Sequence, residues 1–102
     1  MAQLVVMYRT PKDAVAFDKY YLETHVPIAK KIPGIRKYVV SQGPVATPAG
    51  PSNLHLIATL QFDDLAAIQR AFACPEGQAA AADVQNFATG GVDMFLFDSR
   101  EV

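Results

Sequence analysis

The sequence predicts an α+β fold in which one antiparallel four-stranded sheet carries its helices on a single face. Strand-like apolar segments and amphipathic helical segments follow one another in the order β-α-β-β-α-(α)-β. The chain has 102 residues, enough for one domain, residues 1–102. Its 51% hydrophobic and 19% charged residues are slightly more apolar than an average soluble domain.

The N-terminal part predicts a strand and then an irregular helix. Residues 3–8 form a nearly unbroken apolar run, typical of a strand covered on both faces. Thr10 suits the helix cap and Pro11 the first helical position. Residues with three- and four-residue spacing share one helix face: Ala14, Phe17, Tyr21, Thr24, His25 and Ile28. Because Pro27 lacks an amide donor, we expect a kink or a restart near His25.

The middle of the chain predicts two strands joined by a loop. Residues 35–42 show rough alternation, which indicates the second strand. Residues 43–53 are rich in proline and glycine and predict a loop long enough to make contacts of its own. Residues 54–62 alternate cleanly, which indicates a strand with Leu56 on one face and His55 on the other.

The C-terminal part predicts two helices and a last strand. Asp63 and Asp64 indicate a helix cap, Pro75 breaks that helix, residues 76–88 form another, and residues 92–98 form the strand. The inner helix faces carry Leu65, Ile68, Phe72, Ala80, Val84 and Phe87. An order of this kind builds a ferredoxin-like sheet with both helices on one face.

The uncovered face of that sheet predicts a homodimer. The first and last strands are apolar on both faces, with Leu4, Val6 and Tyr8 against Val5 and Met7, and Met94 and Leu96 against Phe95 and Phe97. A bare face of this composition would be a large apolar patch. Burying a few hundred Å² at about 25 cal/mol per Å² is worth several kcal/mol before association costs. We therefore expect two copies to pair through their sheet faces.

Charge, hydropathy and cysteine content exclude several classes of protein. The net charge is -1, and the only basic cluster, within residues 30–37, is interrupted by Pro33 and Gly34, so we expect no nucleic-acid partner. No apolar run approaches the roughly 18 residues of a membrane span, and the N-terminus does not resemble a signal peptide. The single cysteine, Cys74, predicts a buried thiol in a reducing compartment, and we expect the cytoplasm.

No sequence motif for a cofactor or a metal is present. The chain contains neither a dinucleotide-binding glycine pattern nor a phosphate-binding loop. Its two histidines and one cysteine lie far apart in the sequence, which does not favour a metal site. We therefore expect no cofactor and no metal.

Two histidines and several tyrosines are the candidate functional residues. His25 lies on the inward face of the first helix, where it either transfers protons near pH 7 or is a buried histidine satisfied by a carbonyl or a hydroxyl. His55 opens the third strand, and on its own it reads as a surface histidine. Tyr38, Tyr8 and Tyr21 belong either to the core and interface or to a ligand pocket.

Asp83 is the other polar side chain of interest. It falls on the predicted helix 76–88 and reads most simply as a carboxylate on the helix surface.

The segment from Phe17 to Tyr38 resembles the EthD family. The residues that carry the resemblance are Phe17, Tyr20, His25, Pro27, Pro33, Gly34 and Tyr38, which form an aromatic-rich helix, a His-x-Pro step, a Pro-Gly pair and a strand tyrosine. The later stretches 62–65 and 74–76, together with Asp83 and Phe87, are similar to the second half of the family.

The resemblance implies a dimeric α+β barrel. EthD itself belongs to a bacterial system for degrading ethyl tert-butyl ether, and relatives on this barrel include cofactor-free monooxygenases, a muconolactone isomerase and a methylmuconolactone methylisomerase. In the methylisomerase-like branch a histidine at the His-x-Pro step, a strand tyrosine and a further histidine serve the pocket. The motif implies these roles for His25 and Tyr38, and more loosely for His55.

The sequence and the resemblance leave two main hypotheses for the function, and a third that is less attractive. The first is an enzyme that binds a small hydrophobic or lactone-like metabolite, with His25 and Tyr38 as catalytic residues and His55, Tyr8 and Tyr21 as ligand-binding residues. The second is a non-catalytic ligand-binding or accessory protein of a degradative oxygenase system. A structural dimer without a ligand is the third, which the apolar excess makes less attractive.

Overall fold

An antiparallel four-stranded sheet forms the base of the molecule in a computed structural model that describes residues 1–102. The strands in chain order are β1 (Ala2–Arg9), β2 (Lys37–Val40), β3 (Ala46–Thr47), β4 (Gly50–Pro51), β5 (Leu54–Phe62) and β6 (Val92–Asp98). Across the main sheet the order is β2-β5-β1-β6, and β3 and β4 pair separately. The predicted α+β class and ferredoxin-like sheet are therefore confirmed.

The helices pack on one face of this sheet. They are α1 (Ala14–Tyr20), a π-helical turn (Tyr21–His25), α2 (Val26–Ala29), α3 (Leu65–Ala73), α4 (Pro75–Asp83) and a 3₁₀ turn (Val84–Asn86). Strand burial follows from this arrangement: every second residue of β1, from Ala2 to Tyr8, is buried, while the residues between them are half-buried. β5 shows the same alternation.

The first helix begins later than the sequence predicted. Asp13 caps α1, its side chain accepting a hydrogen bond from the Ala16 amide at 3.0 Å. The predicted cap, Thr10, instead donates its hydroxyl to the Asn53 carbonyl at 3.2 Å, and Pro11 precedes the helix. A carboxylate is well suited to this position because it both accepts the amide and complements the positive helix end.

Other element boundaries differ from the prediction in detail. The predicted loop 43–53 contains the small β3–β4 hairpin, and the second strand covers only Lys37–Val40. The predicted helix 76–88 is α4 followed by a 3₁₀ turn. Such frayed ends are governed by local hydrogen bonds, which hydrophobic spacing does not reveal.

A glycine allows α3 and α4 to pack closely. A Cβ atom at Gly77 would lie 2.1 Å from the Ala71 carbonyl oxygen, a distance that real Cβ atoms do not reach. Because Gly77 has none, the first turn of α4 rests directly on α3. The last residue of α4, Asp83, is buried against the core.

The molecule is thin and leaves one sheet face without a helix layer. Its principal extents are 34 × 34 × 18 Å. On the outer face Val39, Thr59, Val5 and Phe95 lie in register across the sheet, and Phe95 is 53% exposed.

None of the helices combines the length and the apolar character needed to cross a membrane.

Candidate functional site

A cavity of about 150 Å³ lies between the sheet and the helices. Fifteen of its sixteen lining residues are hydrophobic, and the exception is His25. Three tyrosines, Tyr8, Tyr21 and Tyr38, also line it. The structure therefore brings four of the five sequence-predicted site residues to one cavity.

The π-helical turn places Tyr21 and His25 in the cavity wall. The amide of Val26 donates to the Tyr21 carbonyl, the five-residue hydrogen bond of a π turn. Pro27 follows at once and has no amide to continue an α-helical ladder. The irregularity expected near His25 is confirmed, and both of its end residues are buried.

A buried carboxylate holds one side of the His25 ring. Nδ1 of His25 lies 2.9 Å from Oδ2 of Asp83, and the two residues are 5% and 8% exposed. The other oxygen of Asp83 accepts from the Tyr20 hydroxyl at 2.7 Å and from the Asn86 amide at 3.0 Å. The prediction that Asp83 is a surface carboxylate is wrong, because the buried face of α4 continues through Ala80 to its last residue.

The charge on Asp83 determines how the imidazole is oriented. Burial by itself raises the pKa of Asp83, but the hydrogen bonds from Tyr20, Asn86 and His25 outweigh it and hold the pKa below 3.8. An ionised carboxylate only accepts hydrogen bonds, so Nδ1 of His25 must carry the shared proton. In the neutral imidazole the lone pair is then on Nε2.

Nε2 of His25 faces the cavity. It has no hydrogen-bond partner in the protein, whereas every side-chain nitrogen or oxygen that is sealed from solvent has one. Nε2 is therefore accessible, and the space that His25 lines is the cavity. The arrangement presents a single basic nitrogen in an otherwise apolar surrounding.

The three cavity tyrosines carry neutral hydroxyls. The hydroxyls of Tyr21 and Tyr38 lie 2.7 Å apart and share one hydrogen bond. Burial is the main cause that raises the pKa of each of Tyr8, Tyr21 and Tyr38. All three phenols stay protonated at neutral pH and can donate hydrogen bonds.

His55 lies outside this cavity. Its Nε2 is 2.7 Å from Oδ1 of Asp18, and its ring packs edge-on against Phe17 with the centroids 4.9 Å apart. The β1–β5 register shifts between Tyr8 and Arg9, and at this bulge His55 turns to α1 rather than to the outer sheet face. Its predicted orientation is wrong, and it lines an open groove of about 960 Å³ beside the β3–β4 hairpin.

Neither the cysteine nor the acidic residues form a metal centre. Cys74 is half-buried, and its thiol donates to the Ala71 carbonyl at 2.8 Å. No group of three His, Cys, Asp or Glu side chains is placed to hold a metal ion.

Comparison with known proteins agrees with this architecture. The family model of the EthD domain matches residues 9–91. An uncharacterised 11.0 kDa protein from the thcB–thcC intergenic region of Rhodococcus erythropolis is 38% identical over 102 residues, covering 100% of this chain and 98% of that protein.

Solved structures extend the comparison. A crystal structure of an EthD family protein from Bacillus halodurans C-125 has a TM-score of 0.90 and 33% identity, covering 98% of this chain and 99% of that chain. SnoaB, a cofactor-independent oxygenase from Streptomyces nogalater, has a TM-score of 0.68 and 17% identity, covering 99% and 94% of the two chains. At that identity the second likeness concerns the fold alone.

Proposed function

We propose, on the premise that the chain belongs to the EthD family, that its cavity binds a small hydrophobic or lactone-like molecule and moves a proton on it without a cofactor. One observation carries this proposal. Nε2 of His25 is free and faces the apolar cavity, while Asp83 holds Nδ1 at 2.9 Å. A fixed, unpaired imidazole nitrogen at the wall of an apolar cavity is an arrangement suited to a general base.

The reaction would begin at a carbon next to a carbonyl group. His25 Nε2 takes a proton from that carbon, and the imidazolium that forms is stabilised by the carboxylate of Asp83. The Tyr21–Tyr38 pair has two hydroxyl hydrogens and uses one between its members. The other hydrogen, assigned to Tyr38, donates to the enolate oxygen that develops.

The fate of the enolate decides the reaction class. Return of the proton to a different carbon gives an isomerisation, and loss of a leaving group gives a lyase reaction. An electron-rich enolate that reacts with O₂ would give oxygenase chemistry, the activity named for SnoaB. All three classes use the same first step at His25.

Proton exchange on a simple lactone tests this first step. α-Angelica lactone is uncharged, compact and carries acidic protons beside its carbonyl. Incubation of the protein with this lactone in D₂O, followed by NMR, should show deuterium incorporation that His25→Ala lowers by at least about 100-fold. His55→Ala is the matched control, because the second histidine lies outside the cavity, and it should leave the exchange rate unchanged.

The alternative is an accessory protein that carries a degradation intermediate for an oxygenase. The burial of His25, Tyr8 and Tyr21 favours neither role by itself. Lactone that binds without exchange in the wild-type protein would assign the chain to this alternative. Exchange that persists in the His25→Ala variant would contradict the catalytic role of His25.

We also propose that two copies pair through their outer sheet faces in the cytoplasm. The outer face is apolar at Val39, Val5 and Phe95, and β6 exposes large apolar side chains on both of its faces. A patch of this kind on a soluble protein marks an interaction surface. Because the same sheet bears the cavity on its other face, the dimer would hold the cavity floor rigid.

A further inference from the structure

Tyr8 carries the one tyrosine hydroxyl of this chain that the protein leaves unpaired. Resting on the proposed function, we propose that the Tyr8 hydroxyl binds the oxygen of the ligand and that the site takes an uncharged, benzene-sized molecule with one carbonyl or phenolic oxygen. Tyr20 bonds Asp83, and Tyr21 and Tyr38 share one hydrogen bond, so that pair keeps only its second hydrogen for a ligand.

The position of Tyr8 shows where its hydroxyl points. The residue is 2% exposed, and it lines the cavity from β1. Its hydroxyl makes no hydrogen bond within the protein. Every side-chain oxygen that is sealed from solvent does have a partner, so the Tyr8 hydroxyl is not sealed. Because the residue lines the cavity, its hydroxyl opens onto that space. A donor enclosed in this way is costly to leave unmatched, so a ligand that accepts its hydrogen bond is favoured over one that cannot.

The charge distribution selects a neutral ligand. No lysine, arginine, aspartate or glutamate lines the cavity. The ionised Asp83 holds the His25 ring at the cavity wall, and the pKa of Tyr8 is raised by burial, by the neighbouring Tyr38 and by Asp83. A carboxylate in this cavity would lose its hydration, would gain a cation only if His25 were protonated, and would lie near the carboxylate of Asp83.

The size of the cavity limits the ligand further. Its volume is about 150 Å³, the size at which an engineered apolar cavity in another protein accepts benzene. One ring with one or two small substituents fills such a space. Larger fused-ring molecules are excluded unless the helices move apart.

Three probes that differ in one group test the inference. Toluene, p-tolualdehyde and p-toluate share a ring and a methyl group. The first adds nothing to them, the second a carbonyl group and the third a carboxylate. Their affinities are measured by ligand-observed NMR titration on the wild-type protein and on Tyr8→Phe. The phenylalanine keeps the ring of Tyr8 and removes no hydrogen bond within the protein, so the variant should fold.

We expect wild-type protein to bind p-tolualdehyde, which only accepts hydrogen bonds, about tenfold more tightly than toluene, the difference expected of one hydrogen bond in the cavity. Tyr8→Phe should lower that preference by at least about threefold while leaving the toluene affinity within about twofold, which also shows that the cavity is intact. No binding of p-toluate is expected in either protein.

Each contrary result has a distinct meaning. Equal binding of toluene and p-tolualdehyde to the wild type, or a p-tolualdehyde preference that Tyr8→Phe leaves unchanged, would overturn the role of Tyr8 and leave the proposed function standing. Binding of p-toluate as tight as that of p-tolualdehyde would overturn the selection for neutral ligands. Failure of all three probes to bind would overturn both this inference and the proposed ligand cavity.

Discussion

At the scale of single residues, the carboxylate of Asp83 fixes which nitrogen of His25 carries the proton. In Asp83→Asn, the Tyr20 hydroxyl and the Asn86 amide still require an oxygen at the Oδ1 position. The new amide NH₂ then occupies the Oδ2 position and donates to Nδ1 of His25. The proton moves to Nε2, which can no longer act as a base.

We therefore predict that Asp83→Asn lowers lactone deuterium exchange by at least about 100-fold although the side chain keeps its shape. Long-range ¹⁵N NMR of the histidine rings should show the proton on Nδ1 in the wild type and on Nε2 in the variant. Asp18→Asn is the matched control, since Asp18 pairs with His55 instead. Unchanged exchange with an unchanged tautomer would contradict the positioning role of Asp83.

The three cavity tyrosines predict a loss of stability in alkali. Their pKa values in the folded protein lie above 10.0, so the unfolded chain releases protons that the folded chain retains. Their contribution is fully present below pH 10 and is lost as the pH rises above it, by up to about 1.4 kcal/mol per pH unit for each tyrosine. Urea unfolding between pH 9 and 11 measures this slope, and Tyr8→Phe should reduce it. A flat profile would show that these hydroxyls are freely solvated.

How far the site is predictable differs between residues. The inward position of His25 follows from helical spacing, whereas the place of Tyr38 in the site was implied only by the resemblance to the EthD family. Asp83 lies 58 positions from His25, and their pairing depends on how α4 crosses the first helix, which no local pattern encodes. The orientation of His55 was mispredicted because a bulge reverses the alternation on which that prediction rested.

At the scale of elements, the π-helical turn sets the spacing between Tyr21 and His25. Deleting Leu22, a residue that is 60% exposed, allows the wide turn to close as an α-helical turn, while Pro27 still leaves one backbone hydrogen bond unmade. Tyr21 and His25 then cannot both keep their places in the cavity wall. We expect a folded protein, with an unfolding temperature equal to or above that of the wild type, and no lactone exchange.

A substitution at the same position separates length from side chain. Leu22→Ala keeps the π turn and removes only an exposed apolar group, so exchange should persist. If the deletion variant still exchanges deuterium at the wild-type rate, the wide turn has no role in the site. Circular dichroism melts and the NMR exchange assay supply both measurements.

The strands were more predictable than this turn. Alternation over residues 54–62 reproduces β5 at both of its ends, because a strand with one buried face repeats every two residues. For the helix, Pro27 predicted an irregularity but not its type. A kink, a restart and a π turn all relieve the missing amide, and the choice among them depends on packing against the sheet.

At the scale of the whole molecule, the uncovered sheet face predicts the state of assembly. We expect sedimentation velocity and light scattering to give twice the chain mass of 11.1 kDa. Phe95→Lys should shift the protein to the single-chain mass, because it places a charge in the middle of the apolar row on the outer face.

The control for that variant is a lysine on a different surface. Val15 is 80% exposed on α1, away from the outer sheet face, so Val15→Lys should leave the mass unchanged. A wild-type protein that sediments as a single chain at working concentrations would contradict the paired sheets. The ferredoxin-like topology would be unaffected, since it is held within one chain.

The apolar cavity also has a consequence for the amount of this protein that a cell maintains. Its space of about 150 Å³ leaves apolar side chains without packing partners, which costs up to about 3–4 kcal/mol, out of the roughly 5–15 kcal/mol that stabilises an ordinary domain. An occupant that fits restores part of that cohesion by mass action. Ligand-free molecules would unfold more often than ligand-bound ones and would be degraded faster by proteases. The lifetime of the protein in the cell would therefore depend on the concentration of its ligand.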